Sequence, residues 1–365
     1  MEYNVSPVQW TEEQWNLVQE TVRNEARKVR VAASFLPLYG PLPPDAESVP
    51  LQSVDEEDTA EPNEAIELLR QIASGSATGK TNLRALLQSV SQGLGTPQYS
   101  ARRQRGEAQK RLRVDDHKTR PLTTISVNVH LGRAQIAQPD LSDALIMFRR
   151  AANIIARVED RLVFGGQPHE DPGPDELGVQ PPIFRVTGGE SFPGLVQSAK
   201  DSENTVPTAA PGQATSGNSL VKTVVNGIAR LEGFGHLAPF ALALGSDLFV
   251  TANDPHTNSL VLPADRIKPL LDGPILRTST IAPGEGVLVS LASDLIDLVV
   301  ASDICVQFLQ ATMEPRYVYR VSERFTLRIK QPQAIVALVP PSTRGGGGRG
   351  GRRSRQRAVN TEESD

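Results

Sequence analysis

Between Pro315 and Lys330 the chain reads PRYVYRVSERFTLRIK, and two kinds of side chain alternate along it. One set runs Tyr317, Tyr319, Val321, Glu323, Phe325, Leu327, Ile329; the other runs Val318, Arg320, Ser322, Arg324, Thr326, Arg328, Lys330. Period-two alternation predicts a β-strand with one mostly apolar and one cationic face. A strand this long needs a sheet longer than most domains carry. Its cationic face is expected to stay free for water or for another subunit.

At 365 residues the chain has room for two or three domains. Apolar residues make up 39 % and charged residues 22 %, which suits a soluble protein with a thin core. The 28 prolines and 29 glycines put much of the chain into loops and linkers. A formal charge of −4 implies no polyanion partner for the chain as a whole. The one cysteine, Cys305, excludes an intrachain disulfide and reads as a small buried hydrophobe. The N-terminus lacks a signal-peptide pattern, and no stretch is apolar for long enough to span a bilayer, so the expectation is a cytoplasmic protein.

Thr11-Glu12-Glu13-Gln14 is a capping box that opens a helix, with Trp10 and Trp15 at the two positions of a hydrophobic staple. Trp15, Val18, Val22, Ala26, Val29 and Ala33 follow at helical spacing until Pro37, Gly40 and Pro41 stop the helix. An acidic run, Asp55-Glu56-Glu57-Asp58, precedes helical patterns at Asn63–Ala73 and Leu83–Val90. A basic run follows from Arg102 to Arg113. The two runs read as a surface excursion, either self-complementary between copies or simply solvated. Leu122–Leu131 alternates as a strand. Pro139-Asp140 then starts a long helix whose stripe is Leu141, Leu145, Phe148, Ala152, Ile155 and Leu162, capped by Gly165-Gly166.

Residues 166–218 read as a loop excursion with few apolar anchors, IFRV being its one short strand. Helices are then expected over Leu220–Leu231 and Ala264–Leu271. Strands are expected at Pro239–Leu244, Ile275–Ile281, Val287–Leu291, Leu295–Val300, Ile304–Ala311 and Ala334–Val339.

Signals for catalysis are weak. SGSATGKT at Ser74–Thr81 has three residues between its glycines where a phosphate loop needs four, and no strand precedes it. The histidines at 117, 130, 169, 236 and 256 are scattered, which supports no metal site. Carboxylates are expected on solvated faces, without the apolar setting that raises a pKa. Six arginines between Arg344 and Arg357 interrupt a glycine-rich tail, a composition that binds polyanions by counterion release or simply solubilises.

Several stretches, in chain order, resemble the shell protein of the encapsulins, linocin-type (family one) bacterial nanocompartments with the fold of tailed-phage major capsid proteins. They are WTEEQWNLVQETVRNEARKVRVAASFLPLYGPL, RPLTTISVNVHL, ALIMFRRAANIIARVEDRLVFGG, ALALGSDLF, LLDGPILRTSTI, GVLVSLASDLIDLVVASDICVQFL and YRVSERFTLRIKQPQAIVAL. The resemblance implies an α+β, phage major-capsid-like fold. Residues 1–44 would form an N-terminal helix and arm, and 45–120 an extended loop with an insertion. A peripheral domain would take 121–165, with its spine helix, and the return strands 313–341 of a long sheet. A loop insertion at 166–218, an axial domain at 219–312 and a disordered Arg/Gly tail at 342–365 would complete it.

By the same resemblance the protein is not an enzyme. It would assemble with itself into an icosahedral shell around a cargo enzyme, peroxidase or ferritin-like, that carries a C-terminal targeting peptide. Trp15, Val22, Val29, Phe35 and Leu36 would form the cargo face, together with side chains of the Arg320–Arg328 sheet. Asp254, Pro255, His256, Thr257 and Asn258 would border a five-fold pore gated by size more than charge. Arg349, Arg352, Arg353, Arg355 and Arg357 of the outward-facing tail would meet nucleic acid. No cofactor is implied: both tryptophans lie in the first 15 residues, so the flavin of some family shells is not carried over. A major capsid protein of an integrated or degenerate tailed phage is the alternative, and a nucleic-acid-binding protein acting through its Arg/Gly tail is a further one.

Overall fold

The computed structural model describes residues 10–43, 45–58, 110–115, 118–167, 183–209, 213–255, 261–312 and 316–341. The N-terminal half begins with α1 (Glu12–Val29), β1 (Leu38–Tyr39), β2 (Ser48–Pro50) and β3 (Ser53–Asp58). Next come β4 (Lys110–Asp115), β5 (Thr119–Pro121), β6 (Thr123–Gly132), α2 (Arg133–Ile136) and α3 (Ser142–Gly165). The middle holds β7 (Gly166–Gln167), β8 (Phe184–Gly188), β9 (Phe192–Pro193), α4 (Leu195–Asp201) and β10 (Thr205–Pro207). Then follow α5 (Gly217–Gly233), β11 (Phe240–Leu244), α6 (Ser246–Asn253), α7 (Pro263–Leu271) and β12 (Ile275–Arg277). The chain ends its described part with β13 (Gly286–Ser290), β14 (Ile296–Ala311), β15 (Arg316–Ile329) and β16 (Ile335–Val339).

The long strand is present as β15, 14 residues that span about 46 Å at strand rise. It is the centre of a five-stranded sheet in the order β1-β14-β15-β6-β8, antiparallel except for the β1 and β14 pair. Its apolar side, Tyr319, Val321, Phe325 and Leu327, is buried as the alternation requires. The cationic side is less free than expected. Arg320, Ser322 and Arg324 are half-buried, whereas Thr326 and Arg328 are fully covered within the same chain. Asp297 of β14 grips Arg328 in two bonds, Nε to Oδ1 at 2.8 Å and Nη2 to Oδ2 at 2.7 Å, and Tyr39 stacks on it at 4.7 Å. A buried guanidinium persists only with such a partner.

β14 corrects a second expectation. The two strands expected at Leu295–Val300 and Ile304–Ala311 are one strand of 16 residues. Its pairing with β15 shifts register between Val300 and Ser302 and again between Ser302 and Cys305. The polar Ser302-Asp303 break in the alternation is thus a bulge that bends the ladder without ending it.

The second sheet, β10-β16-β13-β11-β12, has two strands, β11 and β13, buried along their whole length. Helices cover it on both faces: Leu242, Leu288, Val336 and Leu338 pack on α5, α6 and α7, while Val287, Ile335 and Ala337 join the core built on α3 and α4. Continuous apolar runs belong to such two-sided burial. The sheets do not follow the expected boundaries at 312 and 313. β14 belongs to the long sheet although its residues were assigned to the axial unit, and β16 pairs with β13 although it was assigned to the peripheral return. Apolar runs alone carry no partner information, so the swap was invisible in the pattern.

The stretch at 166–218 is not only a loop. Leu195 and Ala199 of α4 are fully buried, and β10 pairs in parallel with β16. In the 45–120 excursion the helical patterns at Asn63–Ala73 and Leu83–Val90 lie outside the described residues. Its two ends pair with each other. β3 and β4 form an antiparallel ribbon that sets Asp55 opposite Arg113, Glu57 opposite Arg111 and Asp58 opposite Lys110. The backbone register thus sets the acidic run opposite the end of the basic run of its own chain.

The spine helix α3 is 24 residues, about 36 Å long. Gly166 ends it at φ 93, a conformation L side chains avoid.

Candidate functional site

α1 is held by its sequence at both ends. Thr11 Oγ1 accepts the Gln14 amide at 3.2 Å while Gln14 Oε1 accepts the Thr11 amide at 3.0 Å, so the capping box is complete. Trp10 packs edge-on to Trp15 at 5.0 Å and stacks on Tyr319 of β15 at 4.8 Å. Phe148 of α3 and Phe308 of β14 close this aromatic cluster, each 5.5 Å from Tyr319. Midway, the Gln19 carboxamide bonds both backbone groups of Val306, donating to the carbonyl at 2.7 Å and accepting the amide at 3.1 Å. A side chain thereby continues the ladder just past the β14 bulge.

At the C-terminal end of α1 lies a buried charge cluster. Arg30 forms ion pairs through Nε with Glu159 of α3 at 2.5 Å and through Nη2 with Glu323 of β15 at 2.5 Å, while Nη1 donates to Asp303 of the β14 bulge at 3.3 Å. Glu159 and Glu323 are 0 % and 1 % exposed. Beside them Asp160 accepts the Val31 amide at 2.9 Å and the Ala32 amide at 2.8 Å, tying the turn after α1 to the spine helix.

Burial pushes the Glu159 carboxyl well above the usual carboxylate range, Glu323 pushes it the same way, and Arg30 pulls against both. Glu323 is likewise raised by burial, against the pull of Arg30. Asp160 is pushed up to about 6 by burial, despite its backbone hydrogen bonds. Burial opposes the charge on Arg30, but the facing Glu323, Glu159 and Asp303 outweigh it, so the guanidinium stays charged. Two buried carboxyls facing one cation leave a proton to share. Carboxylates in an apolar setting were not expected from the sequence, and here they pin helix, strand and spine together.

Next to this cluster a cavity of about 440 Å³ opens, with Leu38, Tyr39, Leu298 and Val300 as its apolar wall and Arg27, Arg30 and Asp303 as its polar end. Leu38 and Tyr39 are exposed there. Gly40 is required at this turn, since any Cβ would strike the Val300 carbonyl and its φ is 135.

The expected cargo residues separate on this framework. Val22 and Leu36 lie in the subunit's own core, so they present no surface to a ligand. Trp15, Val29 and Phe35 are half-buried. Asp254 and Pro255 are exposed after α6; His256, Thr257 and Asn258 lie outside the described residues, as does the tail with Arg349 to Arg357. Arg30, Glu159, Asp160 and Glu323 escaped notice as a group. Glu159 sits on the apolar stripe of α3, four residues after Ile155 and three before Leu162, and Glu323 sits on the apolar side of β15. A charge in phase with a core face is the signal that was available.

Among the described residues no three His, Cys, Asp or Glu side chains are grouped to hold a metal, and no helix is long and apolar enough to cross a membrane.

Comparison with known proteins agrees with this architecture. The Linocin_M18 family, described as encapsulating protein for peroxidase, matches residues 182–326. A curated relative, the Type 1 encapsulin shell protein EncA of Myxococcus xanthus (strain DK1622), is 25 % identical over 332 residues, covering 90 % of this chain and 92 % of the relative. The virus-like particle of Pyrococcus furiosus aligns with a TM-score of 0.56 at 14 % identity, over 90 % of this chain and all of that one. The capsid of Myoviridae phage XM1 aligns with a TM-score of 0.51 at 12 % identity, over 84 % and 90 % of the two chains. Spine helix, long sheet and two-sided second sheet thus have the fold of tailed-phage capsid proteins. Within that fold the chain is similar to encapsulin shell proteins, by the family match over 182–326 and by the likeness to EncA along most of its length.

Proposed function

We infer that the inner face of the shell receives its cargo at the C-terminal end of α1. The observation that carries this reading is the cavity of about 440 Å³ beside Arg30, whose apolar wall includes the exposed Leu38 and Tyr39. A short extended peptide with an apolar anchor and an acidic flank fits a wall of that kind ending in Arg27 and Arg30. Val29 and Phe35, half-buried at and just beyond the end of α1, would serve as secondary contacts, with Trp15 farther back along the helix. The cargo class favoured by the family's description is a peroxidase, with a ferritin-like enzyme as the other candidate. The shell acts in the cytoplasm as a homo-oligomer without catalytic residues of its own.

The loop at Asp254 to Asn258 borders the five-fold opening, and bulky replacements of His256 and Asn258 should slow small-molecule entry. The Arg/Gly tail retains nucleic acid on the outside, an effect that deletion of 343–365 and added salt should both remove.

The docking site is tested by co-expressing the shell with a fluorescent reporter fused to the C-terminal peptide of the host's peroxidase. Leu38→Asp and Arg27→Glu leave the buried face of α1 intact and should each abolish reporter uptake into closed particles. Uptake equal to that of the parent shell would place the docking site elsewhere.

A further inference from the structure

The lining of the docking cavity is ionisable. Arg30, Glu159 and Asp303 all belong to it, and Glu323 meets the same guanidinium from β15. Glu159 and Glu323 depend on that cation for their charge. None of their four oxygens has a hydrogen-bond partner, and each carboxyl forms an ion pair with Arg30. Asp160 differs, because the Val31 and Ala32 amides hold its oxygens. Around the pair stand Arg27 and Arg30 from α1, Asp160 from α3 and Asp303 from β14, while β1 brings the Tyr39 phenol. Asp160 works against ionisation of Glu159, and Asp303 against that of Glu323.

An anion that enters this cavity meets the one cation on which the two carboxyls rely. Several negative groups around a single guanidinium in a covered site do not all stay ionised. We propose that docking is proton-coupled: an acidic group of the bound peptide engages Arg30 from the cavity, and the pair of Glu159 and Glu323 takes up a proton in exchange. The coupling rests on the docking site assigned above and adds its regulation. The incoming carboxylate adds one negative charge and the proton removes one, so the net charge of the cluster is unchanged. Solvent supplies the proton through the cavity, whose wall includes Glu159. Arg30 has donors to spare: a guanidinium carries five N–H groups, and its three carboxylate partners meet Nε, Nη1 and Nη2 one each.

The coupling has a direction. Burial already holds both carboxyls above their usual value, which moves the exchange from the acid range toward neutral pH. Protonated, the pair releases Arg30 to the ligand; ionised, it competes for the same cation. Affinity should therefore rise as pH falls, and weaken as pH rises through the pKa of the occupied site. With one proton taken up, the change approaches about tenfold per pH unit. A peptide whose acidic groups are amidated brings no charge to Arg30 and should bind with little dependence on pH.

The test is calorimetric titration of intact empty particles with a synthetic C-terminal peptide of the host's peroxidase, from about pH 6 to 8. Titrations in phosphate and in Tris, whose heats of ionisation differ, count the protons exchanged. The parent should take up between about half a proton and one per bound peptide. Glu323→Gln keeps the side-chain shape and leaves Glu159 alone with Arg30, so uptake should fall toward zero and the pH slope should flatten. Glu159→Gln supplies the same comparison should Glu323→Gln yield no particles. Saturable binding without proton uptake overturns the coupling and leaves the docking site standing. Uptake unchanged in both variants puts the proton on another group, such as Asp160, and overturns it too. Absence of saturable binding by the parent removes the docking site, and the coupling with it.

Discussion

Arg30→Met is the most informative perturbation of the subunit, because its cost should depend on pH in a direction the structure dictates. In the parent, one guanidinium serves Glu159 and Glu323, which are almost completely buried. Removing a single partner from a buried ion pair costs about 3–5 kcal/mol. The variant escapes that cost only by keeping both carboxyls protonated. Their folded pKa values already lie above the unfolded one and would move higher still without the cation. A carboxyl raised on folding contributes stability below its unfolded pKa and loses it as pH rises through the folded value. Near pH 4.5, about the unfolded carboxyl value, the deficit of the variant should therefore shrink to lost hydrogen bonds, about 1 kcal/mol. At neutral pH the full penalty should appear, which for a chain of this size lowers Tm by about 5 °C. The assay is calorimetric unfolding of parent and variant particles from pH 4.5 to 8, with Glu323→Gln added to the variant as a partial rescue. A deficit that is constant with pH, or that widens toward acid, would refute the shared-proton account.

Other substitutions test separate parts of the framework. Tyr319 carries a buried hydroxyl with no hydrogen-bond partner, so Tyr319→Phe should leave stability unchanged or raise it by up to about 1 kcal/mol; a clear loss in denaturant midpoint would expose a hidden partner. Gly166→Ala would place a Cβ 2.5 Å from the Gly194 amide and the Phe192 carbonyl at positive φ, and should cost more than about 2 kcal/mol in the same assay. Asp297→Ala strips the buried Arg328 of its bidentate partner and should lose about 3–5 kcal/mol, whereas loss at the level of a surface pair would mean that water reaches the guanidinium.

What the sequence disclosed depended on whether the physics was local. The capping box at Thr11, the stripe of α3 from Leu145 to Leu162 and the alternation of β15 are each decided by neighbours within a few residues, and they are present as read. Sheet membership is decided by remote pairing. β14 and β16 are both apolar, and nothing in either says that one joins β15 and the other β13. α4 was missed because seven residues carry too little periodicity to stand out between prolines. The charge cluster was half legible. Glu159 and Glu323 sit in phase with core faces, but their convergence on Arg30 joins three elements separated by more than a hundred residues in sequence. The matching of Asp55, Glu57 and Asp58 with Arg113, Arg111 and Lys110 was hidden because register between distant runs cannot be counted from composition. Val22 illustrates the converse error: an apolar helix position looks the same whether it faces a ligand or the molecule's own core.

Electron microscopy of the purified protein tests the central claim most directly. A subunit whose long sheet and spine helix exist to tile a surface should appear as closed, uniform hollow particles. A field of single globules or small irregular oligomers, at concentrations and salt that keep the chain folded, would contradict it.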